Sequence, residues 1–419
     1  MRRLTAVDAQ TYWVSAKIPN DQFLLYGFAG VPSRLEEAID EIRRRAEDCA
    51  ELRLQIRDGS ALTYPAWVTA DVVADQFTVH ELDDHSWDGC LAAVTELADD
   101  QLDARVRPWR LHICTPVLGI PGAPGPGTVA VLQVSHVLAD GTRSSALAAR
   151  LFGRAVDVVA PVATPRLCGV RLPWRSVVAA RAHRRLVRDT EAGAVPPQAP
   201  SRPALRTNSR PTGARSVRTL VRHRDRLPGP TVTVGVLCAV STALSDHLRN
   251  LGDDPSTLGA EVPMAKTAAR EANNSFGNVG VGLYPELAFD ERARRIAADL
   301  ADRRRRSQHP AMRAADLGFA AVPAPLLRWG VGHFDPSVRS PTVVGNTVVS
   351  SVNRGAPDLR FGDAPVVVTA GYPALSPMMG LSHGVHGIGD TVAVSVHAAE
   401  SAIGDVDDYV ARLDAALKG

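Results

Sequence analysis

Apolar residues along this chain gather in short runs separated by Pro, Gly and polar clusters. Phe23-Leu24-Leu25-Tyr26-Gly27-Phe28, Pro108-Trp109-Arg110-Leu111-His112-Ile113-Cys114 and Val129-Ala130-Val131-Leu132-Gln133-Val134 read as strands. A helix begins at Pro32-Ser33, because Leu35, Ala38, Ile39 and Ile42 recur at helical spacing. Ser33 and Glu36 form a capping-box pattern at its start. A second helix covers Trp87 to about Leu102, and a third covers Thr142 to Phe152. The Pro/Gly stretch from Pro121 to Gly127 is a loop that leads into the strand at Val129.

From Pro161 to Pro230 the pattern changes. Arg and Pro become dense, and Pro196-Pro197, Pro200, Pro203 and Pro211 interrupt regular structure, as in an interdomain crossover. Within it Trp174 to Arg188 alternates apolar and Arg residues, which reads as a solvated basic helix. Contact with a membrane surface or with cofactor phosphates is the sharper alternative. Beyond Pro230, Thr231 to Leu248 is a long apolar helix, Leu258 to Met264 a strand, and Asn273 to Tyr284 a Gly/Asn loop running into Val279-Gly280-Val281-Gly282-Leu283. A helix carrying Arg303-Arg304-Arg305-Arg306 follows. Strands are then expected at Thr347–Val352, Ala364–Thr369 and Thr391–His397, with a closing helix from Asp405 to Leu417. The expected class is therefore α/β, in two sandwich-like domains at residues 1–160 and 231–419 joined by a linker at 161–230.

A length of 419 residues supports two domains of similar size. A hydrophobic fraction of 45%, with 22% charged residues, is that of a soluble enzyme. The net charge of +2 selects no partner, and sparse aromatic interleaving argues against nucleic acid. Lys occurs only at Lys17, Lys266 and Lys418, so the Arg clusters reflect high-GC coding, as in actinobacteria, before they reflect function. Cys49, Cys90, Cys114, Cys168 and Cys238 are scattered without CxxC spacing, which suits small packed residues in a reducing compartment. The start Met1-Arg2-Arg3-Leu4 lacks an apolar signal core, and no apolar run reaches the ~20 residues of a membrane span. A cytoplasmic protein is expected. His383 and His386 have metal-like spacing but no carboxylate nearby, so a strand-end pair is expected and no metal site.

The candidate chemistry lies at Ser135-His136-Val137-Leu138-Ala139-Asp140-Gly141, between a buried strand and a helix. A histidine held at a strand end and exposed by a turn suits a general base, since imidazole exchanges protons near neutral pH. Gly141 removes a side chain that would crowd a substrate. Ser144 and Ser145 lie outside any GxSxG elbow and read as helix-start polar residues.

This stretch resembles the HHxxxDG motif of the CoA-dependent acyltransferase superfamily. Other segments resemble one branch of it, the bacterial wax ester synthase/diacylglycerol acyltransferase family. They are Leu4-Thr5-Ala6-Val7-Asp8-Ala9, Pro108-Trp109-Arg110-Leu111-His112, Val262-Pro263-Met264, Gly277-Asn278-Val279 and Leu283-Tyr284-Pro285, in the family's order over nearly the whole chain. The resemblance implies two chloramphenicol-acetyltransferase-like domains in a pseudo-dimer, with a tunnel between them. Acyl-CoA would be the cosubstrate, no cofactor would stay bound, and the acceptor would be an alcohol or glyceride, with possible peripheral membrane or lipid-droplet contact. His136 would deprotonate the acceptor for direct attack on the thioester. Asp140 would pair with an arginine and support the loop, and Gly141 would keep the channel open. Gly277, Asn278 and Ser350 would line the tunnel.

The chain also departs from the family. Ser135 replaces the first histidine of the motif, and Thr233-Val234 stands for an Asn-Asp pair. Thr267 stands near the place of an arginine after the VPV-like strand, and Ser350-Ser351-Val352-Asn353 is a degraded SNVPGP strand. These changes imply a divergent member. Its acceptor could equally be a natural-product hydroxyl or amine, or it could be a non-catalytic protein that binds acyl chains or a carrier.

Overall fold

The computed structural model describes residues 1–158, 160–161, 168–266 and 270–418. Helix α1 (Ala6–Ser15) starts behind Thr5, whose hydroxyl accepts from the Asp8 amide. Four strands then open a first sheet: β1 (Gln22–Phe28), β2 (Phe77–His80), β3 (Trp109–Val117) and β4 (Gly127–Val134). The chain next lays down four strands of a second sheet: β5 (Arg215–His223), β6 (Gly259–Ala265), β7 (Phe276–Gly282) and β8 (Thr347–Asn353). It returns to the first sheet with β9 (Arg360–Phe361) and β10 (Ala364–Tyr372). It completes the second with β11 (Leu381–Ile388) and β12 (Thr391–Ala399). The spatial orders are β9-β10-β1-β4-β3-β2 and β7-β6-β8-β11-β12-β5.

Every residue of β4 is buried, so its alternating side chains serve two cores. Ala130, Leu132 and Val134 pack with Ile39 and Ile42 of α2 (Leu35–Glu47) and Leu147 of α4 (Gly141–Leu151). Val129 and Val131 pack on the other face with Leu91 and Val94 of α3 (Trp87–Leu97), and with Val217 of β5 and Ala393 of β12. The two sheets thus share a core. Each fully buried aliphatic side chain in it contributes about 1.5–3 kcal/mol. The second sheet has its own apolar layer, in which Leu237 and Leu244 of α6 (Val232–Asn250) meet Val394 and Val396.

Two strands pair across the expected domain bounds. Strand β5 lies inside the span read as linker, and it pairs with β12 from Thr391↔His223 to Ala399↔Arg215. Arg215, Arg218 and Arg222 disguise it, as charges often do on an edge strand. Strand β10 lies in the span read as the second domain, yet it pairs with β1, with Ala370 opposite Leu25. The helix expected from Ser33 starts at Leu35, and Arg34, not Ser33, holds the N-cap position without a side-chain cap. The second expected helix stops at Leu97, after which the Leu102 amide turns to donate to Asp21.

The basic helix within the crossover is α5 (Cys168–Glu191), and Arg181, Arg184 and Arg188 on it are exposed. His383 and His386 lie inside β11 rather than at its end, and their odd spacing places them on opposite faces. Cys49, Cys90, Cys114 and Cys238 are buried and unbridged, while the Cys168 side chain lies outside the described set. No helix among the described residues is long and apolar enough to cross a membrane.

Candidate active site

Strand β4 ends at Val134, where the Ser135 amide is pinned by the Pro108 carbonyl at 2.9 Å. The Leu138 amide bonds back to the Ser135 carbonyl, which closes a tight turn around His136. Asp140 then caps α4 by accepting from the Arg143 amide at 3.0 Å. This local order puts His136 on a rigid strand-to-helix corner. Its imidazole stacks on Phe276 of β7, with centroids 5.5 Å apart, and borders a cavity of about 600 Å³. Nδ1 is buried without a hydrogen-bond partner among the described residues, and no carboxylate among them orients this ring as in a Ser-His-Asp triad.

Asp140 is fully engaged elsewhere. Arg270 reaches its carboxylate with Nη1 at 2.9 Å and Nη2 at 3.2 Å, and the Ser275 amide donates to it at 2.9 Å. The arginine that pairs with Asp140 is thus Arg270, while Thr267 lies outside the described residues. Neighbouring residues grip the turn itself. Asn273 Nδ2 donates to the Val137 carbonyl at 3.1 Å, and Asn274 Nδ2 to that of His136 at 2.8 Å. The amides of both asparagines donate in turn to Asp8 of α1, at 3.0 and 3.1 Å. Burial pushes the Asp8 carboxyl above its ordinary range, against these donors. A latch from the second half of the chain thus holds the turn that the first half builds.

The cavity gathers most of the expected site. Gly141, Asn278 and Ser350 border it with His136 and Asp140, whereas Ser135 and Gly277 do not. Asn278 Nδ2 donates at 3.2 Å to Glu261 of β6, whose carboxyl burial pushes upward. A Cβ on Gly141 would sit 3.6 Å from Val352, an ordinary contact, so the glycine leaves room in the cavity rather than relieving the backbone. Thr233, at the site of the Asn-Asp pair, bonds Ser351 at 2.9 Å. His383 is bound on both ring nitrogens, by Thr347 at 2.9 Å and Tyr409 at 2.6 Å. No cluster of three His, Cys, Asp or Glu suited to a metal occurs among the described residues.

Asp8, Arg270, Asn273, Asn274 and Phe276 were not singled out by sequence. The signals for them are slight: an N-terminal segment of family-like order and an Asn pair in a loop. Their roles depend on contacts across some 130 residues or more.

The fold is the two-lobed architecture of wax ester synthase/diacylglycerol acyltransferases and of condensation domains, with chloramphenicol-acetyltransferase-like lobes. The wax ester synthase/diacylglycerol acyltransferase from Marinobacter aquaeolei VT8 superposes with a TM-score of 0.63 at 18% identity, covering 99% of this chain and 98% of that one. The first condensation domain of the CDA synthetase gives 0.62 at 14% identity, over 100% and 96%. A mutant starter condensation domain of rhizomide synthetase, in complex with C8-CoA and Leu-SNAC, gives 0.58 at 13% identity, over 100% and 93%. At these identities the likeness is one of fold. No family model matches the sequence, and no curated protein matches it.

Proposed function

We propose that the protein is an acyl-CoA-dependent O-acyltransferase, a divergent relative of the wax ester synthase/diacylglycerol acyltransferases, with His136 as its general base. The observation that carries this reading is the placement of His136, on a latched corner beside a cavity of about 600 Å³ within this fold. In the proposed reaction the acceptor hydroxyl gives its proton to His136 as its oxygen attacks the thioester carbonyl carbon. The C–S bond breaks, and the imidazolium returns the proton to the departing CoA thiolate. No acyl-enzyme is involved. Ser145 is occupied by the Gly141 carbonyl at 2.8 Å, and Ser144 lies 3.4 Å from the Gln22 amide oxygen. Asp140 and the Asn pair act as positioning residues, holding the turn without touching substrate.

The test is thioester consumption, with acyl-CoAs of several lengths and a panel of alcohols and amines, followed as free thiol. Removing a positioned base costs about 10²–10⁴-fold, so His136→Ala is expected to lose at least that order of rate while folding normally. Full activity in the variant would overturn the mechanism. Ser135 in place of the first motif histidine favours a second reading, a binding protein for acyl chains or a carrier. Wild-type protein that binds acyl-CoA yet releases no thiol with any acceptor would select it.

A further inference from the structure

Arg354 directly follows β8, and its amide donates to the Gly387 carbonyl at 2.8 Å. Its side chain crosses from the second sheet into the first. The guanidinium lies 4.9 Å over the Tyr26 ring, and Nη1 donates to the Leu25 carbonyl at 3.3 Å and to the Thr369 hydroxyl. Arg354 is only 5% exposed, and it borders the same cavity as His136. No Asp or Glu pairs with it among the described residues, and its Nε finds no hydrogen-bond partner there.

A buried guanidinium without a counter-charge is costly, several kcal/mol even after relaxation. A carbonyl, a hydroxyl and a ring face solvate the charge without cancelling it. The surroundings also keep the group open. A Cβ at Gly371 would come within 3.0 Å of Nη2 and of His386 Nε2. His386 adds no second charge, because burial and the nearby Arg354 hold it well below its ordinary range, in the neutral form. The site therefore offers one fixed positive charge in a water-poor wall of the cavity. One carboxylate balances it.

We infer that Arg354 seats a carboxylate on the substrate, so that one partner in the transfer is an acid rather than a plain hydrocarbon chain. The inference rests on the acyl-transfer reading only for the fate of that substrate; the carboxylate seat itself can be tested by binding. The carboxylate could belong to the acceptor, as in a hydroxy acid, or to the acyl group, as in a dicarboxylic acyl-CoA.

The experiment measures affinities by calorimetry on the full chain in two arms. One compares ω-hydroxy acids of increasing length with their methyl esters. The other compares glutaryl-CoA with pentanoyl-CoA, a pair in which the CoA phosphates cancel. In one arm the acid is expected to bind the wild type about tenfold more tightly, a difference of about 1.4 kcal/mol. That arm identifies which partner carries the charge. Arg354→Met is expected to abolish the preference, and Arg354→Lys to keep part of it. Equal or tighter binding of the neutral member in both arms overturns the inference, even if Arg354→Met fails to fold. A preference that survives in folded Arg354→Met also overturns it. Acid preference without thiol release would refute the acyl-transfer reading and leave the carboxylate seat standing.

Discussion

At the scale of single residues, Asp140 and Asp21 show how burial assigns different work to similar groups. Asp140 has three sets of donors, and its side chain is nearly inaccessible. Removing Arg270 would leave that carboxylate buried with amide donors only. Arg270→Ala and Asp140→Ala are each expected to destabilise by about 2–4 kcal/mol. The double variant should lose less than the sum, with a coupling of about 1–3 kcal/mol in a denaturant-unfolding cycle. Additive losses would show that the pair does not hold the turn. Asp21 is the opposite case. Burial pushes its carboxyl up to about 6, although Oδ2 accepts from the Leu102 amide and from Gln133. A raised folded value means that the stability it contributes is present below the unfolded value near 3.8, and is lost as pH rises through 6. Asp21→Asn keeps an acceptor for both donors and removes the charge. It should stabilise the protein by about 1–3 kcal/mol at pH 7, with no difference left below about pH 4.

At the scale of elements, the corner that carries His136 was legible and its support was not. A continuous apolar run, a polar turn and a helix-spaced run announce β4, His136 and α4 because all three are local. Asp140 as a loop support was legible only by resemblance, and no local pattern marked Arg270 as its partner. Strand β5 was hidden by its arginines, two of which pair with α7 (Val406–Ala416): Arg218 with Asp407, and Arg222 with Asp414. The return of β10 to β1 is a long-range pairing that no local pattern can encode. It predicts that residues 1–160 alone will not fold, since β1 would expose a bare edge and the Val368 and Ala370 contacts would be lost. Far-UV circular dichroism and amide exchange on that fragment would decide this. A cooperatively folded fragment would contradict the shared core.

At the scale of the whole molecule, buried histidines set the acid limit. Burial lowers His112, His383 and His397 to about 4. Depressed folded values mean that their contribution is present above the unfolded value near 6.5 and is lost as pH falls through 4. Each is worth about 3 kcal/mol at full effect, so together they outweigh the opposing term from Asp21. The midpoint of denaturant unfolding is expected to fall steadily from pH 6.5 to pH 4. A flat midpoint over that range would mean that these histidines take up protons without unfolding.

The Asp8–Asn273–Asn274 latch also has a consequence for how the protein is made. The ribosome delivers Asp8 first, His136 much later and the asparagines later still. The N-terminal sheet waits longer, for β10 at Ala364–Tyr372. A nascent chain therefore carries its histidine on an unsupported turn through most of synthesis, and on the proposed function it should leave thioesters intact until its last third has emerged. Stalled chains of increasing length, assayed for thiol release, should switch on only after Tyr372 has cleared the exit tunnel.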